Sequence, residues 1–378
     1  MRIAICTDQY LPMISGLVDS VDILARQLQK NGHEVRVYAP SLPGSIADAK
    51  VFRFPAFALP GSGGSMIVSL PFGALRDMRN FKPDIIHTHL FGIAGLFAWY
   101  TARRLNVPLI GTDHTFPADY LHYMKLNFPP FPYLVRRFSA WYYNRCAFVT
   151  VPSEKLRKEL IDHGFHRASV IISNHVPADV FRPLFKEQCK EYLGISGKTV
   201  LIFGRIAREK NLEVALEVFE EVIKRTQATL VFVGDGPHRT ALENKIKEMG
   251  LESYVRFLGV LRGEKLVEAI NCGDVFLMTS LSENQPMSML QAMACGLPVV
   301  VANAGGPPEY VEEGKSGYIV EPNNTTAFAG RVLEILQNDE HAQALGEGGR
   351  VLSLQFSPES ITAEFQEVYT KVLQNHVR

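Results

Sequence analysis

Short apolar segments alternate with amphipathic segments along the chain, and this pattern occurs once in each half of the 378 residues. Strands separated by helices in this way form parallel sheets, and the length suits two domains better than one. The pattern predicts an α/β protein with two Rossmann-like units in tandem. The candidate strands lie at 2–7, 34–39, 84–88, 108–112, 147–151 and 169–172, then at 199–204, 229–233, 255–258, 274–278, 298–301 and 318–320.

A segment rich in turn-forming residues lies between the two halves. Residues 174–183 include Asn174, Pro177 and Pro183, and no strand or helix pattern runs through them. We therefore expect an N-terminal domain over 1–175 and a C-terminal domain over 185–357, followed by a last helix at about 358–374.

Charge and cysteine usage exclude several classes of protein. Lysine plus arginine equals aspartate plus glutamate at 39 each, which argues against nucleic acid as a partner. The five cysteines have no metal-binding or CxxC spacing and indicate reduced thiols in a cytoplasmic protein. We expect no signal peptide and no membrane-spanning segment, because no apolar run reaches 18 residues.

The stretch 275–300 predicts a strand, a turn, a helix and a second strand. Pro286 fits the first turn of that helix, so the amides of Met287 and Ser288 should form an anion site at its N-terminus. Glu283 stands beside that end, and Gln291 lies one turn further along. A phosphate on the amides, with polar contacts on either side, describes a clamp for a nucleotide-sugar.

Residues 283–291 resemble the E-x7-E element of the retaining glycosyltransferases of family 4, and the resemblance extends over nearly the whole chain. These enzymes have the GT-B fold, in which two Rossmann-like domains face a central cleft and the last helix, here 358–378, crosses back onto the first domain. The chain departs from the pattern at Gln291, where the family has its second Glu, and at Pro286, where it usually has Gly.

The resemblance also implies the donor-binding residues. The segment 203–211 resembles the family's G-R-x4-K-N element, so Arg205 and Lys210 match the pair that grips the donor diphosphate. Fixed cations of this kind stabilise charge on a leaving diphosphate without a metal. Gly16 matches a loop glycine that lets the backbone approach the donor phosphates.

His114 and Glu283 are the expected catalytic residues. His114 matches a family histidine at the sugar end of the donor, and Glu283 would hold sugar hydroxyls rather than attack carbon. The family retains anomeric configuration, and a front-face mechanism is commonly proposed, in which the leaving phosphate helps to deprotonate the acceptor. No metal and no other cofactor are expected, since the nucleotide-sugar is a substrate.

Gln291 keeps one carbonyl acceptor of the family's ribose-binding Glu and loses its charge. The loss of one charged hydrogen bond costs about 1–2 kcal/mol, or about a tenfold change in affinity. Donor binding should therefore be weaker than in the family, with the reacting groups unchanged.

The sequence His87-Thr88-His89 has two readings. Alternate residues of a strand face the same side, so both imidazoles converge and a metal site is conceivable. No third ligand with convincing spacing follows, and the pair also suits a structural role or the lining of an acceptor site.

The acceptor is indicated by the segment 119–124, which resembles the diacylglycerol glucosyltransferase branch of the family and contributes Tyr120, His122 and Tyr123. Aromatic residues lie on both sides of an arginine pair over 128–143, a pattern that suits an anionic membrane surface or, equally, a helix packed in the core. Residues 61–72 form a candidate apolar loop.

The sequence thus predicts a metal-independent hexosyltransferase, cytoplasmic and peripheral on the inner face of the membrane. It would move a hexose from a nucleotide-diphosphate sugar, of the UDP-glucose type, to a lipid such as diacylglycerol. Two alternatives remain. One is transfer to a soluble or polyprenyl-linked sugar acceptor, and the other is a non-catalytic nucleotide-sugar-binding protein, which Gln291 and Pro286 favour.

Overall fold

The structure, a computed structural model, describes residues 1–13, 15–58, 67–114 and 128–376. The chain divides into two compact units, Met1–His175 with Pro358–Arg378 and Val176–Ser357. The second unit begins earlier than the expected residue 185, because Val176 and Phe181 pack into its core.

The first unit is built on a seven-stranded parallel sheet with the order β3-β2-β1-β6-β7-β8-β9. The chain therefore reverses its direction of travel across the sheet between β1 and β6. A two-stranded antiparallel pair, β4 with β5, accompanies the sheet. The strands are β1 Arg2–Thr7, β2 Glu34–Pro40, β3 Val51–Phe54, β4 Ala56–Ala58, β5 Ile67–Ser69, β6 Ile85–His89, β7 Leu109–Thr112, β8 Phe148–Val151 and β9 Ser169–Ile171.

Within the residues that the structure describes, five helices connect these strands, and α1 shows why they form. Its N-terminus is capped by the Ser15 hydroxyl, which accepts a hydrogen bond from the amide of Val18. Its buried face repeats at helical spacing through Val21, Leu24 and Leu28. The helices are α1 Gly16–Lys30, α2 Ala74–Phe81, α3 Ile93–Leu105, α4 Phe131–Tyr143 and α5 Glu154–Asp162.

The second unit has a six-stranded parallel sheet with the order β12-β11-β10-β13-β14-β15. Its strands are apolar on both faces, so Val200 and Leu230 pack on one side and Leu201 and Val231 on the other. The strands are β10 Lys198–Phe203, β11 Ala228–Val233, β12 Val255–Phe257, β13 Val275–Met278, β14 Val299–Ala302 and β15 Gly317–Val320. The helices are α6 Lys186–Leu193, α7 Leu212–Ile223, α8 Arg239–Glu248, α9 Glu264–Asn271, α10 Met287–Ala294, α11 Thr325–Leu336 and α12 Asp339–Ser353.

The last helix, α13 Pro358–His376, belongs to the first unit. It lies against α1, where Lys30 pairs with Glu359 at 3.2 Å and Asn31 donates to Gln366 at 2.8 Å. Its buried face includes Phe365 and Tyr369.

Some elements differ from the sequence expectations. The sequence pattern favours a helix near 307–313, but the segment contains only a short 3₁₀ turn over Pro307–Tyr310. Residues 67–69 of the expected loop 61–72 form β5, while 61–66 lie outside the described residues. Helix α12 was not expected at all, because three glycines weaken its helical pattern. Two of those glycines allow close packing, since a Cβ on Gly346 or Gly348 would lie 2.1 Å from a backbone oxygen.

Candidate functional site

Two loops meet at the carboxyl ends of the neighbouring strands β10 and β13 in the second unit. The chain crosses the sheet in opposite directions from these two strands, which is the position where doubly wound sheets bind ligands. The loop after β10 carries Arg205 and Lys210, and the loop after β13 leads to Glu283 and α10. The fold therefore brings together residues that lie more than 70 positions apart in the sequence.

Lys210 and Glu283 form an ion pair through Nζ and Oε1. Only 21% of the Lys210 side chain and 14% of the Glu283 side chain are exposed. The backbone around Lys210 is held from the other loop, because the Thr279 hydroxyl lies 3.1 Å from the carbonyl of Lys210 and 2.9 Å from that of Asn211. The sequence assigned the two charged residues separate tasks and did not predict this pairing.

Arg205 is exposed at the end of β10, on a loop fixed by its neighbours. The amide of Gly204 donates to the carbonyl of Val233 at 2.9 Å. Gly234 has φ +138, and a Cβ there would lie 1.9 Å from the Gly204 oxygen. The turn after β11 therefore supports the loop of Arg205 and requires glycine to do so.

Helix α10 presents the predicted N-terminus, with one correction. It begins at Met287, and Pro286 precedes it in an extended conformation with ψ 97 instead of occupying the first helical turn. Met287 and Ser288 are the first two residues of the helix, and the partly exposed Gln291 lies one turn further along. The first amides of an α-helix have no partner within the helix, so this end of α10 is a place where an anion can bind.

A glycine turn holds the backbone of Glu283 in place. The amide of Gly306 donates to the Glu283 carbonyl at 2.8 Å. A Cβ on Gly305, which has φ +73, would lie 2.4 Å from that same oxygen. The position of the Glu283 backbone therefore depends on two consecutive residues without side chains.

The corresponding position in the first unit lies at the ends of β1 and β6. Gly16 is the first residue of α1 and is partly exposed there. Asp8, which the sequence analysis did not single out, accepts hydrogen bonds from the amide of Ala94 at 3.0 Å and the hydroxyl of Ser69 at 2.6 Å. Burial raises the pKa of this carboxyl group. A side chain at Gly92 would collide with it, since a Cβ would lie 2.2 Å from Oδ2.

His114 follows β7 and belongs to a buried cluster of histidines. Its Nε2 lies 2.8 Å from Nδ1 of His89, so the two rings share one hydrogen. The His87 and His89 rings lie on the same face of β6, as the alternation predicted, with centroids 4.2 Å apart. His87 contacts the hydroxyls of Tyr369 at 2.8 Å and Thr112 at 2.7 Å. His175, the fourth member, contacts the Thr362 hydroxyl at 3.2 Å.

These four histidines are neutral in the folded protein. Burial lowers the pKa of His87 to about 3, that of His114 to about 4 and that of His175 to about 3. Burial and the neighbouring rings lower the pKa of His89 well below its ordinary value. In the described part of the chain, no group of three or more His, Cys, Asp or Glu side chains is arranged to hold a metal ion.

The predicted acceptor residues Tyr120, His122 and Tyr123 lie outside the described residues. The neighbouring helix α4 is described, and it buries only one face, through residues such as Tyr142 and Tyr143. Its other face is exposed and joins α3 in a surface that we call the aromatic–arginine surface. Its members are Trp99, Tyr100, Arg103, Arg104, Leu134, Phe138, Trp141 and Arg145.

Rings and cations are in direct contact on the aromatic–arginine surface. The guanidinium carbon of Arg145 lies 3.4 Å from the centroid of Trp141, and that of Arg104 lies 5.3 Å from the centroid of Tyr100. Trp141 is 39% exposed and Phe138, which stacks on it, is 40% exposed. None of the helices over the described ranges is long and apolar enough to cross a bilayer.

The histidine cluster predicts a loss of stability in mild acid. The unfolded chain binds protons near pH 6.5, whereas the folded chain excludes them until about pH 4 or below. The contribution of these histidines to the free energy of unfolding is therefore fully present above pH 6.5. It falls as the pH drops toward 4, by up to about 1.4 kcal/mol per pH unit for each histidine. Urea unfolding at pH 7.5, 6 and 5 measures this slope.

Replacement of one cluster member should reduce that slope. We expect His175→Gln to unfold with a shallower pH dependence than the wild type, and the exposed His166→Gln to serve as the matched control. A wild-type free energy of unfolding that stays constant between pH 7.5 and 5 would contradict the neutral cluster.

Two family models match the chain, one in each half. Glycosyltransferase Family 4 matches residues 14–180, and Glycosyl transferases group 1 matches residues 187–351. The alpha-monoglucosyldiacylglycerol synthase of Streptococcus pneumoniae is 30% identical, over 79% of this chain and 70% of that protein. The enzyme of the same name from Acholeplasma laidlawii is 26% identical over 100% and 98% of the two chains.

Solved structures match the fold over almost the full length. The Anabaena protein HepE in complex with UDP has a TM-score of 0.80 at 19% identity, covering 98% of this chain and 100% of that one. The sucrose-phosphate synthase of Thermosynechococcus elongatus has a TM-score of 0.82 at 20% identity, with 99% of each chain covered. With two Rossmann-like units and two family matches, the chain belongs to the family 4 and group 1 glycosyltransferases of the GT-B fold and is a glycosyltransferase.

Proposed function

We propose that this glycosyltransferase transfers glucose from UDP-glucose to diacylglycerol, with retention of anomeric configuration and without a metal or other cofactor. The observation that carries the proposal is the convergence of Arg205, Lys210, Glu283 and the start of α10 at the ends of β10 and β13. The names of the two alpha-monoglucosyldiacylglycerol synthases support a lipid acceptor and an alpha product. The complex of HepE with UDP supports a uridine donor.

The donor diphosphate would lie against the N-terminus of α10. The amides of Met287 and Ser288 supply fixed partial positive charge there, and Arg205 and Lys210 supply full charges. These groups are held before the donor arrives, because glycine turns and backbone hydrogen bonds fix their loops. Preorganised charge of this kind is the largest contribution that a protein makes to such a transfer.

The transfer exchanges one bond to the sugar carbon for another. The bond from C1 to the diphosphate oxygen breaks, and C1 bonds to the acceptor hydroxyl on the same face. The acceptor proton goes to the departing phosphate oxygen, so no protein group needs to hold it. Glu283 would hold sugar hydroxyls, and the neutral His114 would position the sugar as a hydrogen-bonding group.

The acceptor would reach the enzyme from a membrane surface. The aromatic–arginine surface has rings beside guanidinium groups, which is the composition that places aromatics at headgroup depth and cations toward anionic lipid. On this basis we propose that the protein is cytoplasmic and peripheral on the inner face of the membrane.

The direct test is transfer in vesicles. Protein, UDP-glucose and vesicles that contain diacylglycerol should release UDP and form a glucolipid whose anomeric proton has the alpha coupling constant in NMR spectra. Excess EDTA should leave the rate unchanged. Nucleotide release with a soluble sugar acceptor alone would favour that alternative, and donor binding without any transfer would favour a non-catalytic protein.

Removal of the cations should reduce turnover while the fold survives. Arg205→Ala and Lys210→Ala should each lower kcat about 100- to 1000-fold, because charge on the leaving diphosphate loses a fixed partner. The exposed Lys247→Ala on α8 is a control with the same loss of charge. Near-normal turnover in both site variants would remove these residues from the donor site.

Gln291→Glu should tighten donor binding. If this side chain contacts the ribose, restoring the carboxylate should lower the KM for the donor by up to about tenfold and change kcat little. Gln227→Glu, in an exposed loop of the same unit, adds the same charge elsewhere. A higher KM in the Gln291 variant would mean that the site has been rebuilt around glutamine.

Charge on the aromatic–arginine surface should control vesicle binding. The arginines of α4 are not the best targets, since Arg136 pairs with Glu159 at 2.7 Å and Arg137 donates to the His163 carbonyl. The exposed pair at the end of α3 is better, and Arg103→Gln with Arg104→Gln should weaken binding to anionic vesicles roughly tenfold to thirtyfold.

A matched basic pair lies at the end of another helix. Lys224→Gln with Arg225→Gln, at the end of α7, removes the same charge from the second unit and should leave sedimentation unchanged. Both double variants should bind UDP normally. Equal partition of the wild type into the supernatant with anionic and neutral vesicles at low salt would reject the membrane surface.

A further inference from the structure

We propose that Glu283 competes with the nucleoside diphosphate for Lys210, so that the site binds the product nucleotide less tightly than its cations alone would allow. The inference rests on the proposed function, since it takes a nucleoside diphosphate as the ligand of the loops after β10 and β13. It adds a second role to Glu283, which is to favour the intact donor over the product.

The starting observation is that Lys210 already has a counterion. Its ammonium group contacts the Glu283 carboxylate, and both side chains are largely buried, so water screens the contact less than at the surface. Within the described residues, neither side chain has another ion-pair partner. A diphosphate must therefore share Lys210 with the carboxylate or take it away.

Movement of either loop does not easily separate Lys210 from Glu283, because hydrogen bonds hold both loops. The Thr279 hydroxyl holds the carbonyl of Lys210, and the Leu281 amide donates to the carbonyl of Glu209 at 3.3 Å. On the other side, the amide of Gly306 holds the carbonyl of Glu283 at 2.8 Å. A ligand can therefore rearrange the two side chains but not their backbones. The Glu283 carboxylate stays near any phosphate that Lys210 contacts.

The two ligands differ in what they offer Glu283. An intact donor brings sugar hydroxyls, which donate hydrogen bonds to the carboxylate and compensate for the loss of Lys210. The product nucleoside diphosphate brings no sugar, so when it takes Lys210 it leaves the carboxylate without a compensating partner. The carboxylate thus selects against the product, and release of the product is faster for that reason.

Glu283→Gln separates this role from sugar binding. The variant keeps the shape of the side chain and removes the charge, so UDP and GDP, titrated separately by calorimetry, should bind about threefold to tenfold tighter than to the wild type. UDP-glucose should gain less than UDP, because the amide also loses charged contacts to the sugar. Glu243→Gln, which removes a carboxylate paired with Arg239 on α8, is the matched control and should change neither affinity.

A double-mutant cycle with Lys210→Met shows whether the effect passes through Lys210. In the Lys210→Met background, Glu283→Gln should change nucleotide affinity by less than twofold. Circular dichroism and thermal melts establish that each variant is folded before it is titrated.

The outcomes are distinct. Unchanged or weaker UDP and GDP binding in Glu283→Gln would overturn the inference, and so would an equal gain for UDP-glucose. Full tightening in the Lys210→Met background would also overturn it, since the carboxylate would then act by direct repulsion. A wild type that binds neither UDP nor GDP would overturn the proposed donor together with the inference.

Discussion

The hydrogen bonds that join the loops after β10 and β13 are the interaction on which the candidate site depends. The Thr279 hydroxyl contacts two consecutive carbonyls, those of Lys210 and Asn211, and thereby links strands that are neighbours in the sheet but separated by more than 70 residues. Asn211 has φ +52, a left-handed conformation that asparagine adopts more readily than most residues. It ends the 3₁₀ turn Arg208–Lys210. The backbone of Lys210 is positioned directly by this junction.

Glycines also join the loops of the candidate site, by allowing close backbone contact where the Thr279 hydroxyl makes hydrogen bonds. Gly234, Gly305 and Gly306 each lie where a Cβ would be within 2.5 Å of a backbone oxygen, and each oxygen belongs to a loop that carries a proposed site residue. These glycines contact no ligand in the proposed function. They let one loop pack against another at backbone distance.

The sequence predicted the sheets well because their strands are buried on both faces and read as continuous apolar runs. All twelve candidate strands are present, most within one residue of the expected ends. Strands β3, β4 and β5 were missed, because Pro55 interrupts the run that holds β3 and β4, and β5 follows a stretch rich in glycine and serine. The candidate site residues of the second unit were predicted from motifs, but their contacts were not, because the pairing of Lys210 with Glu283 depends on loop geometry that no local spacing encodes. The contacts of His175 and Asp8 were not predicted for the same reason, whereas the spacing of His87 and His89 correctly indicated a shared face.

The position of α13 has a consequence for the order in which the protein can be built. The first unit needs Tyr369 beside His87 and Phe365 in its buried face, and both residues lie within 14 positions of the end of the sequence. A ribosome makes Met1–His175 first, yet it delivers the last helix of that unit only after all of Val176–Ser357. The ribosome therefore completes the sequence of the second unit before that of the first. Until α13 is made, the nascent first unit keeps an uncovered apolar face. A chain that lacks residues 359–378 would therefore keep the apolar face of its first unit uncovered, even if its donor loops were intact.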